Sequence, residues 1–79
     1  MKFDIEYLGS FTPAMKDYTE EKLSKLYQLN QKYTYARVTL NVLPNKKFSV
    51  EVSLDNKVRL SLVGDDFYSV LVDVVDKLF

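Results

Sequence analysis

The sequence contains no cysteine and no histidine. Without cysteine there is no disulfide framework, no thiolate metal site and no thiol nucleophile, which suits a reducing compartment. Without histidine the chain lacks the commonest general base, the commonest metal ligand and the side chain that titrates near neutrality. Neither a Ser/His/Asp nor a Cys/His triad can be assembled. No long apolar run exists, so no transmembrane helix is encoded. The opening Met1-Lys2-Phe3-Asp4-Ile5-Glu6 alternates and carries acids, unlike a signal peptide. The exclusions lead to one expectation: a soluble, cytoplasmic binding protein and not an enzyme, with no cofactor, metal, small-molecule substrate or membrane partner. Net charge is also missing. Eleven Lys and Arg balance eleven Asp and Glu, whereas nucleic-acid binders are commonly basic overall, so any such affinity would need a local patch.

What is present suffices for a fold. Seventy-nine residues make one domain, 1–79. Such a chain buries only about 60% of its unfolded surface, but it is 47% hydrophobic with six Tyr and five Phe, enough for a core without staples. Residues 2–8 alternate, with Phe3, Ile5 and Tyr7 on one side, as in a half-buried strand. Thr12-Pro13 reads as a helix start, a hydroxyl cap followed by a proline that loses no needed donor. From Ala14 to about Leu29, Met15, Tyr18, Leu26 and Leu29 recur at helical spacing, with Leu23 flanking the stripe and fraying expected near Asn30. Glu21 and Lys25 are placed for an i,i+4 pair.

Three alternating segments follow. Val38, Leu40 and Val42 face inward, then Phe48, Val50, Val52 and Leu54, then Val58, Leu60 and Leu62. Residues opposite each other in an antiparallel pair share a face. Leu54 therefore opposes Val58 across Asp55-Asn56-Lys57, with Asn56 or Lys57 left-handed, and Val42 opposes Phe48 around Pro44-Asn45-Lys46. Asp65 or Asp66 caps a second helix that runs to the end of the sequence. The result is an α+β order, β-α-β-β-β-α: a four-stranded mixed sheet with both helices on its apolar face.

The outer sheet face carries Arg37, Arg59 and Lys47. Register places Ser53 between the two arginines with Glu51 near, which fits either a bound phosphate or a cross-strand ion pair with Glu51. Tyr35 faces outward from the sheet, but a single aromatic is no base-stacking platform. Asp73 and Asp76, three apart on a helix, lack the further oxygen ligands that a hard cation needs. The second helix is unusually apolar. Phe67, Val70, Leu71, Val74 and Leu78 form one stripe, and Tyr68, Val72, Val75 and Phe79 a second about 100° away. The second stripe either packs on the first helix or forms a homodimer face.

Two stretches carry a resemblance. One is Thr12-Pro13-Ala14-Met15-Lys16-Asp17-Tyr18 with Glu21-Lys22-Leu23-Ser24-Lys25-Leu26; the other is Asp66-Phe67-Tyr68 with Asp76-Lys77-Leu78, and Val50-Glu51-Val52 lies between them. In that order and spacing the whole chain resembles the ribosome-hibernation (ribosome-associated translation inhibitor) family. The resemblance implies a non-enzymatic factor that binds the small ribosomal subunit in the channel used by mRNA and tRNA and silences idle ribosomes. It also implies that Lys22 and Lys25 on the first helix and Lys77 on the second contact ribosomal RNA phosphates; without it they read as solvated helix residues. The sequence departs from the family's pattern in stopping at Phe79 where a Lys/Arg-rich stretch usually follows, in having Val72 where an acid is common, and in its neutrality. The order also resembles a double-stranded-RNA-binding domain, but that module needs a Lys-rich start to its last helix, and Asp65-Asp66 here would repel phosphate. The alternative function is a protein–protein or homodimerisation module of the same fold.

Overall fold

The computed structural model describes residues 2–29 and 32–78. Asn30 and Phe79 lie outside them, as does the side chain of Leu29. The elements are β1 (Lys2–Leu8), α1 (Pro13–Leu23), a 3-10 turn (Ser24–Leu29), β2 (Tyr35–Val42), β3 (Phe48–Leu54), β4 (Val58–Gly64) and α2 (Phe67–Lys77). They form one four-stranded sheet in the order β1-β2-β3-β4, with β1 and β2 parallel and the other pairs antiparallel.

Hydrophobic alternation sets the register as expected. Leu54 opposes Val58 and Val42 opposes Phe48. Ala36, Val38, Leu40, Val50, Val52 and Leu54 are buried beneath Phe67, Val70, Leu71 and Val74 of α2 and Leu23 and Leu26 of the first helical segment. Val58 departs from the inward set: it begins the edge strand and is 36% exposed.

Both helices start as their sequences dictate. The Thr12 hydroxyl accepts from the Met15 N–H at 3.2 Å with Pro13 at the first helical position, and the Asp66 carboxylate accepts from the Tyr68 N–H at 3.1 Å. Helix α1 ends sooner than its apolar spacing suggests. The Ser24 hydroxyl donates to the Glu21 carbonyl at 2.6 Å, offering the backbone a local alternative to the α-helical ladder, and the chain tightens into the 3-10 turn. Lys25 thus sits beyond α1, and no Glu21–Lys25 ion pair forms among the described residues. The inward stripe is also rotated. Thr19 and Leu23 are the buried residues of α1, while Met15 and Tyr18 are half-buried. Thr19 enters the core because its hydroxyl donates to the Met15 carbonyl at 2.8 Å.

In the β3–β4 turn the left-handed residues are Asp55 (φ 52°) and Asn56 (φ 58°), and Lys57 is not among them. The Asp55 carboxylate explains the difference. It accepts from the backbone N–H groups of Thr34 (3.1 Å) and Tyr35 (2.8 Å) and from the Thr34 hydroxyl (3.0 Å), fastening the turn to the start of β2. Partial burial pushes this carboxyl up, but those donors and the Lys57 charge outweigh it and hold it below the usual carboxylate value. A depressed folded-state pKa stabilises the fold above the ordinary carboxylate value and is lost as pH falls through the folded one. Asp55→Asn is therefore expected to melt below the wild type at neutral pH, with the gap closing in acid. A thermal-melt series against pH checks this; a gap independent of pH would contradict it.

Gly64 sets the distance between β4 and α2. A Cβ there would stand 2.7 Å from the Val70 Cγ2, and the short valine branch has little room to yield. Gly64→Ala is expected to cost about 1–3 kcal/mol, with Gly64→Ala/Val70→Ala costing less than the two single changes combined. Urea titration of the three variants decides it.

Candidate nucleic-acid interface

Strands β1 and β4 both run parallel to β2, and each is followed by a helix that returns across the sheet. The two helices therefore start at one end of the sheet and finish at the other. Lys22 lies in the last turn of α1, Lys77 in the last turn of α2, and Lys25 on the 3-10 turn that continues α1. Lys2 at the start of β1 and Lys57 at the β3–β4 turn belong to the same end. The acids Asp65 and Asp66 lie at the opposite end, before α2. Five lysines thus gather at one end of a chain of zero net charge, alongside the acids Glu21, Asp55 and Asp76.

The helix ends explain part of this. The final carbonyls of a helix carry partial negative charge, and a lysine in the last turn contributes about 0.3–1 kcal/mol by offsetting it. At the same time the lysines keep that end from repelling phosphate. Lysine presents a mobile point charge, suited to positioning against a backbone without reading its sequence.

Lys22 is the most structured of the three. Its Nζ stands 5.4 Å from the centroid of the Tyr18 ring, within cation–π range. Tyr18 meets Tyr68 edge-to-face, with centroids 4.8 Å apart at 85°. Tyr68 in turn meets Phe67, which meets Phe11 and Phe48. A run of ring contacts thus joins the Lys22 ammonium to the aromatic core. Lys25 and Lys77 are exposed. Sequence reading placed Tyr18 in the apolar stripe and missed its support of Lys22; the i,i+4 spacing of Tyr18 and Lys22 was the available signal.

The second apolar stripe of α2 does not stay on the surface. Val75 is 3% exposed and belongs to the core, so it cannot contribute to a self-association face. Helix α2 packs against β3, β4 and α1 together, and that position buries a wider arc than one stripe. What remains outside is a shallow groove lined by Tyr18, Tyr68, Ser69, Val72 and Asp73.

On the outer sheet face Arg37, Ser53 and Arg59 form one row across β2, β3 and β4. Neither arginine reaches Glu51 in an ion pair among the described residues. Lys47 is not brought to this row. It precedes β3 at the other end of the sheet and pairs with Asp65 at 3.7 Å. Tyr35 faces outward as expected, and its hydroxyl donates to Asp4 at 3.1 Å. No helix among the described residues is long and apolar enough to cross a membrane.

Comparison with known proteins agrees with this architecture. The solved structure of a ribosomal subunit interface protein from Coxiella burnetii superposes with a TM-score of 0.75 at 18% identity, over 99% of this chain and 89% of that one, a likeness of fold. The N-terminal domain of Thermus thermophilus Protein Y superposes with a TM-score of 0.72 at 30% identity, over 99% of this chain and 91% of that one. Ribosome-associated factor Y of Haemophilus influenzae is 34% identical over 70 residues, which are 85% of this chain and 64% of that protein, so the chain spans just under two thirds of its length. A family model described as Sigma 54 modulation protein / S30EA ribosomal protein matches residues 9–79. The helix starts and lysine spacings that carry the hibernation-family resemblance fall within that match, and the chain belongs to this family of ribosome-associated proteins.

Proposed function

We propose that this chain is a non-catalytic factor that binds the small ribosomal subunit through RNA phosphates and blocks translation by occupying the path of mRNA and tRNA. The observation that supports this most is the gathering of Lys22, Lys25 and Lys77 at the end where both helices finish, in a family whose relative is named a ribosome-associated factor. Phosphate contacts by mobile ammonium groups give affinity without sequence preference, and steric occlusion needs no cofactor. The loss of Val75 from the surface weighs against the homodimer alternative.

The test is co-sedimentation of the purified chain with separated ribosomal subunits at low and moderate salt, alongside a Lys22→Glu/Lys25→Glu/Lys77→Glu variant. Pelleting with the small subunit that salt and the variant both abolish is the expected result. A wild type that stays in the supernatant at low salt would overturn the reading.

A further inference from the structure

Ser53 is out of place for a residue on the solvent side of a sheet. It is only 9% exposed, and its hydroxyl has no hydrogen-bond partner among the described residues. A depression of about 140 Å³ surrounds it, lined by Arg37, Thr39, Glu51, Asn56 and Arg59, with no apolar side chain among them. Pockets that take whole small molecules run about 300–1,000 Å³ and are mostly apolar, so this one suits a single charged group.

The row geometry supplies the reason. Arg37 and Arg59 flank Ser53 from the neighbouring strands, so their backbones stand about 10 Å apart across two strand spacings. Two long side chains anchored at that distance can close from both sides on a ligand lying over the short serine. Their guanidinium groups have no carboxylate partner within ion-pair distance among the described residues. Planar, forked guanidinium donors match phosphate oxygens, and the serine hydroxyl is one further donor on the floor. Asp4, beside Arg37 in the parallel pair, accepts instead from Tyr35.

We infer that the Arg37–Ser53–Arg59 row is a phosphate site for a ribonucleotide, on the sheet face opposite the helices. Glu51 specifies the ribose. It lies two residues before Ser53 on the same face of β3, and a carboxylate beside a phosphate is repulsive unless a neighbouring group donates to it. A ribose 2′-hydroxyl is such a donor, and it is also the group that distinguishes RNA from DNA. The site's geometry uses none of the three helix-end lysines; only the choice of an RNA strand over a free nucleotide as source of the phosphate rests on the function proposed above.

The experiment is an amide and arginine side-chain NMR titration of the full chain with inorganic phosphate, adenosine monophosphate, and a short single-stranded RNA and its DNA counterpart. Saturable shifts centred on Ser53, Asn56 and the Arg37 and Arg59 Nε–H groups are expected with the RNA, weakening at least tenfold in Arg37→Gln/Arg59→Gln. Ser53→Ala should weaken them less, and Glu51→Gln should narrow the RNA preference while tightening inorganic phosphate. All four positions lie on the outer sheet face, away from the core beneath the helices, and an unchanged spectrum elsewhere certifies each fold. Tighter binding of RNA than of the mononucleotide identifies a strand as the source; equal binding identifies a free nucleotide, with the site standing in both cases. No saturable shift with any of the four ligands, shifts that survive the double arginine change, or DNA binding as tight as RNA would overturn the inference. The Lys22/Lys25/Lys77 variant should retain these shifts, so loss of ribosome pelleting in that variant and loss of this site in the arginine variant are separate results.

Discussion

Shortening Leu71 to alanine is expected to lower the free energy of unfolding by about 2–5 kcal/mol, the largest single-residue effect on stability foreseen for this chain. Leu71 is fully buried on the inward face of α2, among Val50, Val52 and Val74. Its truncation removes apolar contacts and opens a space that helix and sheet, packed from both sides, cannot collapse to fill. A 79-residue chain holds about 4–12 kcal/mol in total, so this one change consumes a large share. The melting temperature should fall by about 8 °C or more. Val63→Thr is the contrast. Val63 is apolar but 57% exposed on the outer sheet face, and a β-branched polar residue there should stay within about 0.5 kcal/mol of the wild type. Urea midpoints of the two variants measure the difference; a Leu71→Ala protein as stable as Val63→Thr would contradict the assignment of the core.

The strand register was legible because side-chain alternation has a period of two and admits no intermediate answer. One residue of slip would have moved Val50 and Val52 to solvent, and both are fully buried opposite Leu40, Leu62, Val38 and Leu60. Helix faces were less legible. Adjacent positions differ by only about 100°, so Tyr18 and Thr19 compete for the inward direction, and a back-bonded hydroxyl let the polar residue win. The same ambiguity left Val75 divided between core and surface until the position of α2 against α1 decided it. The left-handed residues at the β3–β4 turn depended on Asp55 meeting Thr34, twenty-one positions away, a contact that local turn chemistry cannot reveal. The candidate lysines were named through the family resemblance and not from the residues alone, and their convergence is a product of topology, since two helices end together only because β1 and β4 point the same way.

That convergence makes the charge-reversal experiment more informative than a count of charges. Lys22→Glu/Lys25→Glu/Lys77→Glu takes the formal charge from zero to −6, and Lys16→Glu/Lys46→Glu/Lys47→Glu takes it to the same value. The second set includes a residue in the first turn of α1 and two on the β2–β3 turn, away from the end where the helices finish. If affinity depended on net charge, both variants would lose it equally. If the helix-end lysines carry most of the phosphate contacts to the ribosome, the first should lose much more. Three contacts at about 1 kcal/mol each in a watery interface correspond to at least about a hundredfold loss of affinity, and reversal adds repulsion to the loss. The wild type itself should weaken about 20- to 40-fold between about 50 and 200 mM salt if three phosphate contacts release their counterions. The first variant should lose most of that salt dependence, whereas the second should keep it with a weaker intercept. Equal losses from the two variants, or a salt slope that the helix-end changes leave untouched, would mean that the lysines of the helix ends serve only the helix dipoles and that affinity resides elsewhere on the surface.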